Sequence, residues 1–273
     1  MESRAQLVGL RVGSILVLLF TWWVAGILMD DPEVLPGPVL TGTTIMTNLV
    51  TLGPEGHSAY FHIGITLGRI FATFVAAMLV GIGIGLAMGL RKVIEHSLMA
   101  LIPLLLTMPT ILMVFLAVLW FGFNEVGSLV AVLGVVTPFV AVVMFEGAKA
   151  MDKSLIDMAK TYKAGRGMLI RKVYLPQLMP YIFSAFRFAF GMTWKIVALA
   201  ETFGIKFGIG YMFFFWFEQF VMEQVMAWII TFVILMLILE HGVFARLESK
   251  AFAWKQLLFQ SHRIELASQN FTA

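Results

Sequence analysis

The apolar positions of this chain neither alternate nor keep to one face of a helix. They run in long blocks. Crossing a hydrocarbon core about 30 Å thick takes about 20 residues at 1.5 Å rise each. The blocks of that scale are Val12 to Met29, Phe61 to Leu90, Leu98 to Phe121, Val126 to Phe145, Tyr181 to Glu201 and Val225 to Phe244. Backbone groups in lipid must bond within their own segment. The pattern therefore predicts an all-α, polytopic membrane protein with six transmembrane helices, forming one domain over residues 1–273. The first block is too long and aromatic for a secretory signal, and no small-x-small site precedes Asp30, so it is read as a retained helix.

The interruptions carry as much information as the blocks. Asp31-Pro32 and Leu35-Pro36-Gly37-Pro38 force an extended or turning path, and residues 39–60 follow as a short amphipathic segment on the outer face. Gly81, Gly85 and Gly89 recur every four residues in the second block, a spacing that lets another helix approach closely. Pro103 and Pro109 predict a kink in the third helix. Residues 203–222 mix Gly204, Gly208, Gly210 and Lys206 with the aromatic run 213–217. This stretch reads as a broken or re-entrant outer segment, or as an aromatic belt at the interface.

Charge gives orientation, because cytoplasmic loops retain Lys and Arg. Arg4, Arg11, Arg91, Lys92, Lys149, Lys153, Lys160, Lys163, Arg166, Arg171, Lys172, Arg246, Lys250, Lys255 and Arg263 fall on one side of the six blocks, 15 of 19 basic residues. The other side holds Lys206 and the acids Asp30, Asp31, Glu33, Glu55, Glu125, Glu218 and Glu223. Both termini are thus expected in the cytoplasm. A composition of 60% hydrophobic and 13% charged residues excludes a soluble domain. With no cysteine, disulfide and thiolate chemistry are excluded, and the five histidines have no metal-ligand spacing. No phosphate-binding Gly-rich loop is present, so any ATP would be hydrolysed on another chain. Nucleic-acid binding is not expected.

The strongest functional signal is the basic cytoplasmic loop 147–179. Lys153 to Tyr162 has helix-forming composition, Gly165 and Gly167 permit a turn, and Met168 to Tyr174 resumes a helix that Leu175-Pro176 is expected to stop. On charge alone such a loop equally suits anionic lipid. Its sequence, with Asp157, Ala159, Ala164, Leu175 and Pro176, resembles the coupling loop of binding-protein-dependent ABC importer permeases. Met158 stands where that motif usually has alanine, and Lys163 where it usually has glycine. Further patterns resemble the nitrate, sulfonate and taurine subfamily: Leu35-Pro36 with Pro38, Thr66-Leu67-Gly68-Arg69, Trp120-Phe121-Gly122, Glu146-Gly147, Pro180-Tyr181-Ile182, Arg187, Gly191, Trp194 and Glu201.

The resemblance implies a type I importer permease fold in a bacterial cytoplasmic (inner) membrane. It implies a second permease copy, as a homodimer, two ATP-binding subunits carrying ATP and Mg, and a periplasmic or lipid-anchored substrate-binding protein. Carried onto this chain, the ATPase-coupling residues are Asp157, Met158, Ala159, Lys163, Ala164, Gly165 and Arg166. This chain would hold no cofactor and perform no covalent chemistry.

Charges inside the spans need partners, a cavity or an interface. Arg69, Arg187, Trp194, Lys195 and Glu201 are the candidate substrate-pathway residues. Arg187, Trp194 and Glu201 recur every seven residues on one helix stripe, yet Arg187 and Glu201 are about 21 Å apart along it and cannot pair. Arg69 and Arg187 suit snorkelling or carbonyl bonding near helix ends. Lys195 lies deeper and suits an anionic cargo such as a sulfonate, nitrate, taurine or carboxylate. The alternatives are a neutral or cationic heterocycle such as a thiamine precursor, a gradient-driven secondary transporter, or a membrane scaffold.

Overall fold

A computed structural model describes residues 4–244, which are predominantly helical. In order the helices are α1 (Arg4–Met29), α2 (Pro38–Val50), α3 (Ala59–Leu90), α4 (Lys92–Leu98), α5 (Leu101–Thr107), α6 (Thr110–Phe121), α7 (Glu125–Lys149), α8 (Lys153–Thr161), α9 (Arg166–Leu169), α10 (Leu175–Thr202), α11 (Ile209–Glu218) and α12 (Met222–Leu239). Arg246, Lys250, Lys255 and Arg263 of the charge count, together with both chain ends, lie outside the described residues. Residues up to Ile230 form one compact unit, and Thr231 begins a second.

Five helical stretches are long and apolar enough to cross a membrane, and the bent pair around Pro109 is a sixth if taken as one span. The third block is thus not the kinked helix expected. It breaks between α5 and α6 through 103°. Met108, which precedes Pro109, is extended at φ −66° and ψ 128°, because the proline ring excludes the helical region for the residue before it. Pro103 sits in the first turn of α5, where a missing N–H costs no helical bond.

The core of the first unit is α3 packed along α7, with α10 against both and α6 against α7 and α10. The glycine series does what its spacing predicts. A Cβ on Gly81 would lie 2.6 Å from Val140 Cβ, and one on Gly85 would lie 2.7 Å from Met144 Cβ. Gly89 abuts Ala148, whereas Gly83, off the stripe, faces open space. Close backbone approach replaces the hydrophobic drive that lipid removes. Asn124 caps α7 by accepting from the N–H groups of Val126 (2.9 Å) and Gly127 (3.2 Å).

Residues 39–60 contain α2, whose Thr44 hydroxyl donates to Glu223 and whose Asn48 amide donates to Gln224 at 2.8 Å. The glycine-rich stretch after α10 is a loop that turns back and starts the ten-residue α11, so it is a broken segment rather than a span. Leu175-Pro176 does not stop a helix. Backbone helicity runs on from α9 through a π turn, Ile170–Tyr174, into α10. In that widened turn the Leu175 N–H bonds Ile170 O, five residues back, and the register shift accommodates the Pro176 ring, which would otherwise clash with a preceding carbonyl.

Candidate functional site

Two features at opposite ends of the bundle hold most of the candidate residues, and one face of α10 between them holds the rest. The first is the α7–α10 connection. Asp152 caps α8 by accepting from Ser154 N–H at 2.8 Å, and its own N–H donates to Gln177 Oε1 at 2.7 Å, tying the loop to α10. The Ser154 hydrogen bonds, from side chain and backbone, hold the Asp152 carboxyl below the usual carboxylate range. None of α8 is buried by this chain. Leu155, Met158 and Tyr162 are 42%, 54% and 81% exposed, and their spacing of three and four puts them on one edge. Asp157, Lys163, Gly165 and Arg166 are also exposed, while Ala159 and Ala164 are half-buried on the inner side, where Ala164 N–H donates to Ala159 O at 3.0 Å.

Lys163, the departure noted in the motif, has φ +53°, a left-handed conformation that glycine adopts freely and L side chains adopt at a cost. The usual glycine there has a conformational reason. Lys163 keeps the turn with some strain.

The second feature is a buried polar cluster. On α3, the Arg69 side chain is 2% exposed. Its Nε and Nη2 donate to Glu125 Oε2 and Oε1 at 2.7 and 2.5 Å, Nη1 donates to Glu201 Oε1, and Nη1 also reaches Phe207 O at 3.3 Å. The two carboxylates differ: the Glu125 side chain is 68% exposed and that of Glu201 is fully buried. Glu201 further accepts from Thr66 Oγ1 at 3.0 Å and from Gly210 N–H at 2.9 Å. Thr66 in turn accepts from Ile209 N–H at 2.8 Å. One guanidinium thus joins the start of α7, the end of α10 and the 203–210 loop to α3. The loop closes over Glu201 because Gly208, at φ +120°, has no side chain, and a Cβ there would collide with the Glu201 carboxyl.

Arg69 is therefore neither snorkelling nor held chiefly by a carbonyl. The sequence pattern marks its partner Glu125 only as an outer-side acid, and Glu201 finds in Arg69 the partner that Arg187 could not be. The seven-residue stripe divides along α10. At its far end the loop buries Glu201, whereas Arg187 is exposed, Trp194 is half-buried, and Lys195 is exposed with Nζ 5.3 Å from the Trp194 ring. Ser184, Arg187, Phe188 and Lys195 share an exposed face, on which a Cβ at Gly191 would meet open space. Ala185, Ala189, Thr193, Ile196 and Ala200 make the buried face. The five pathway candidates thus form two groups, a closed one around Arg69 and Glu201 and an open one on α10. Among the described residues, no group of three or more His, Asp or Glu side chains is placed to hold a metal.

A family model described as binding-protein-dependent transport system inner membrane component matches residues 62–248. The chain is 30% identical over 241 residues to the taurine transport system permease protein of Escherichia coli, covering 86% of each protein. It is 31% identical over 198 residues to a candidate aliphatic sulfonates transport permease protein of Bacillus subtilis, covering 72% of this chain and 70% of that one. The formylaminopyrimidine transport permease protein of Halalkalibacterium halodurans is 26% identical over 198 residues, covering 72% of this chain and 76% of its own.

Proposed function

Because this chain belongs to the family of binding-protein-dependent transport system inner membrane components, we propose that it forms the translocation path of an ATP-driven importer for a small organic anion. It is an ABC transporter permease, a multi-pass inner-membrane transport subunit rather than an enzyme. Membership removes the gradient-driven and scaffold readings. Permeases of this family work with an ATP-hydrolysing subunit and a substrate-binding protein.

In the proposed assembly two copies of this chain pair as a homodimer on two ATPase subunits, which hold ATP and Mg. The termini and α8 face the cytoplasm, as the charge distribution favours. The exposed edge of α8, Leu155 with Met158 and Tyr162, seats in the ATPase, flanked by Asp157, Lys163, Ala164, Gly165 and Arg166. Closure of the nucleotide sites then moves α7 and α10, the helices that α8 connects. Alternating access needs two states with different contacts at each end. Ligand in the binding protein and ATP in the partner each favour one of them.

The observation that carries the cargo class is the open face of α10. An exposed Lys195, steadied over Trp194, stands with Arg187 on the exposed side of α10. A carboxylate or sulfonate loses its hydration in a low-dielectric path, and a fixed cation offsets that loss. The taurine and sulfonate relatives support the same class. The formylaminopyrimidine relative supports a second reading, a neutral or cationic heterocycle, for which the Phe188 and Trp194 rings would be the recognition surface.

The experiment is a ligand screen on the cognate binding protein followed by competition in transport. A binding protein whose melting temperature rises with alkanesulfonates or taurine, and not with formylaminopyrimidines, supports the anion. The opposite selectivity rejects it.

A further inference from the structure

Helix α11 ends at Glu218 in a tight reversal before α12. Phe220 N–H donates to Phe217 O at 3.0 Å, and Val221 N–H donates to Trp216 O at 3.1 Å. These are the two bonds of a Schellman motif, and they require a left-handed residue at position 220, where glycine is usual. This chain has phenylalanine there, at φ +58°. A bulky side chain is strained in that region, and the ring recovers little of the cost by packing, because Phe220 is 76% exposed. Its neighbours Phe217, Glu218, Gln219 and Val221 are exposed as well. Backbone strain of this kind collects at functional sites.

The start of α11 is deep in the bundle and its end is not. Ile209 N–H donates to Thr66, two turns into α3, whereas a Cβ at Gly53, in the loop that precedes α3, would already lie 3.8 Å from Met212 Cε. Trp228, two turns into α12, stands beside His62, one turn into α3, with ring centroids 5.8 Å apart. The turn at 219–221 therefore projects past the start of α3, at the end of the bundle opposite α8. Its charge is Glu218, which pairs with no base among the described residues.

We propose that this turn is a docking point for the substrate-binding protein, with the Phe220 ring seated in an apolar pocket of that partner and Glu218 facing a basic rim around it. The proposal rests on the importer reading above. Aromatic anchors are enriched at the centre of protein contacts, with a polar rim around them. Lipid is the poorer occupant. Interface belts use Trp and Tyr, whose rings carry a polar tip, whereas Phe220 has none and stands beside a carboxylate and an amide. A second copy is poorer too, since a two-fold contact through this turn would bring Glu218 up to its own copy. The position also gives the contact a consequence. Helix α11 is ten continuous residues, and its other end is bonded through Ile209 N–H to Thr66 and through Gly210 N–H to Glu201. A partner that displaces the tip thus acts on the Arg69–Glu201 cluster.

The test titrates the purified cognate binding protein over immobilised nanodiscs that hold the permease–ATPase complex, read by interferometry. Wild type should bind saturably. Phe220→Gly and Phe220→Asn both suit a left-handed turn and lose the ring, and each should raise Kd about tenfold or more, as loss of a central anchor does. Basal ATP hydrolysis should be unchanged, and both variants should melt at or above the wild-type temperature. Glu218→Lys should weaken binding at low salt and less at high salt. With p-benzoylphenylalanine in place of Phe220, irradiation should join the permease to the binding protein.

No binding by the wild-type complex overturns the importer reading and this proposal together. Wild-type binding with unaltered affinity in both Phe220 variants overturns this proposal alone. So does a melting temperature lowered by several degrees in both, which would give the ring a packing role. Cross-linking of residue 220 to phospholipid would make Phe220 a membrane anchor, and cross-linking to a second permease chain would make the turn a subunit contact; either result rejects the binding protein as occupant. Tighter binding by Glu218→Lys rejects the basic rim.

Discussion

Replacing Arg69 by methionine separates the contributions of its two acidic partners, because they sit in different surroundings. Methionine keeps most of the side-chain length and removes the charge. The Glu201 side chain is fully buried, and the substitution leaves its carboxylate with only Thr66 and the Gly210 N–H. Removing one partner of a buried pair costs about 3–5 kcal/mol, most of it for stranding the other charge. The Glu125 side chain, 68% exposed, can be rehydrated, and its share is about 0–1 kcal/mol. Arg69→Met should therefore destabilise by about 3–5 kcal/mol.

Glu201→Gln should cost less, about 1–3 kcal/mol, because Arg69 keeps both bonds to Glu125. In double-mutant cycles the Arg69–Glu201 coupling should be about 2 kcal/mol or more and the Arg69–Glu125 coupling below about 1 kcal/mol. The assay is reversible unfolding by sodium dodecyl sulfate in mixed micelles, followed by circular dichroism. A loss under about 1 kcal/mol for Arg69→Met, or equal coupling to the two acids, would refute the assignment of Glu201 as the buried partner.

Three further outcomes follow from the same geometry. Gly85→Leu should drive α3 from α7 at Met144 and lower the yield of intact complex severely, whereas Gly83→Leu, into open space, should not; equal yields would contradict the packing. Met158→Glu places a charge on the exposed edge of α8 and should cut ATP-driven uptake at least tenfold while the chain's own stability changes by less than about 0.5 kcal/mol, which uptake assays and unfolding together would show. Lys195→Met should lower uptake of an anionic substrate with basal ATP hydrolysis and assembly near normal, and normal uptake would return Lys195 to a structural role.

What was legible in the sequence is what depends on local pattern. The lengths of apolar runs gave the spans, four-residue glycine spacing gave the α3–α7 contact, and Asp157 through Pro176 pointed to the family. What was not legible depends on contacts distant in sequence. Nothing near Arg69 marks Glu125 and Glu201 as partners, 56 and 132 residues away. The available signal was that three charges fell at the same predicted end of three helices, together with glycines at 208 and 210 that let backbone reach a carboxylate. The length of the third block concealed its break, although the proline signal was present at Pro109. Pro176 misled because a proline normally ends a preceding helix, and a π turn is invisible to composition. Lys163 departs from the motif, and its left-handed φ shows the constraint that glycine usually meets there.

The most direct test of the whole account is uptake by proteoliposomes containing this permease, its ATPase and its binding protein. With ATP inside the partner's compartment and a labelled alkanesulfonate outside, the account predicts accumulation that requires ATP and the binding protein, saturates, and is competed by other small organic anions. Uptake driven by an ion gradient without ATP, or ATP-dependent accumulation of a cationic heterocycle with no competition from sulfonates, would contradict it.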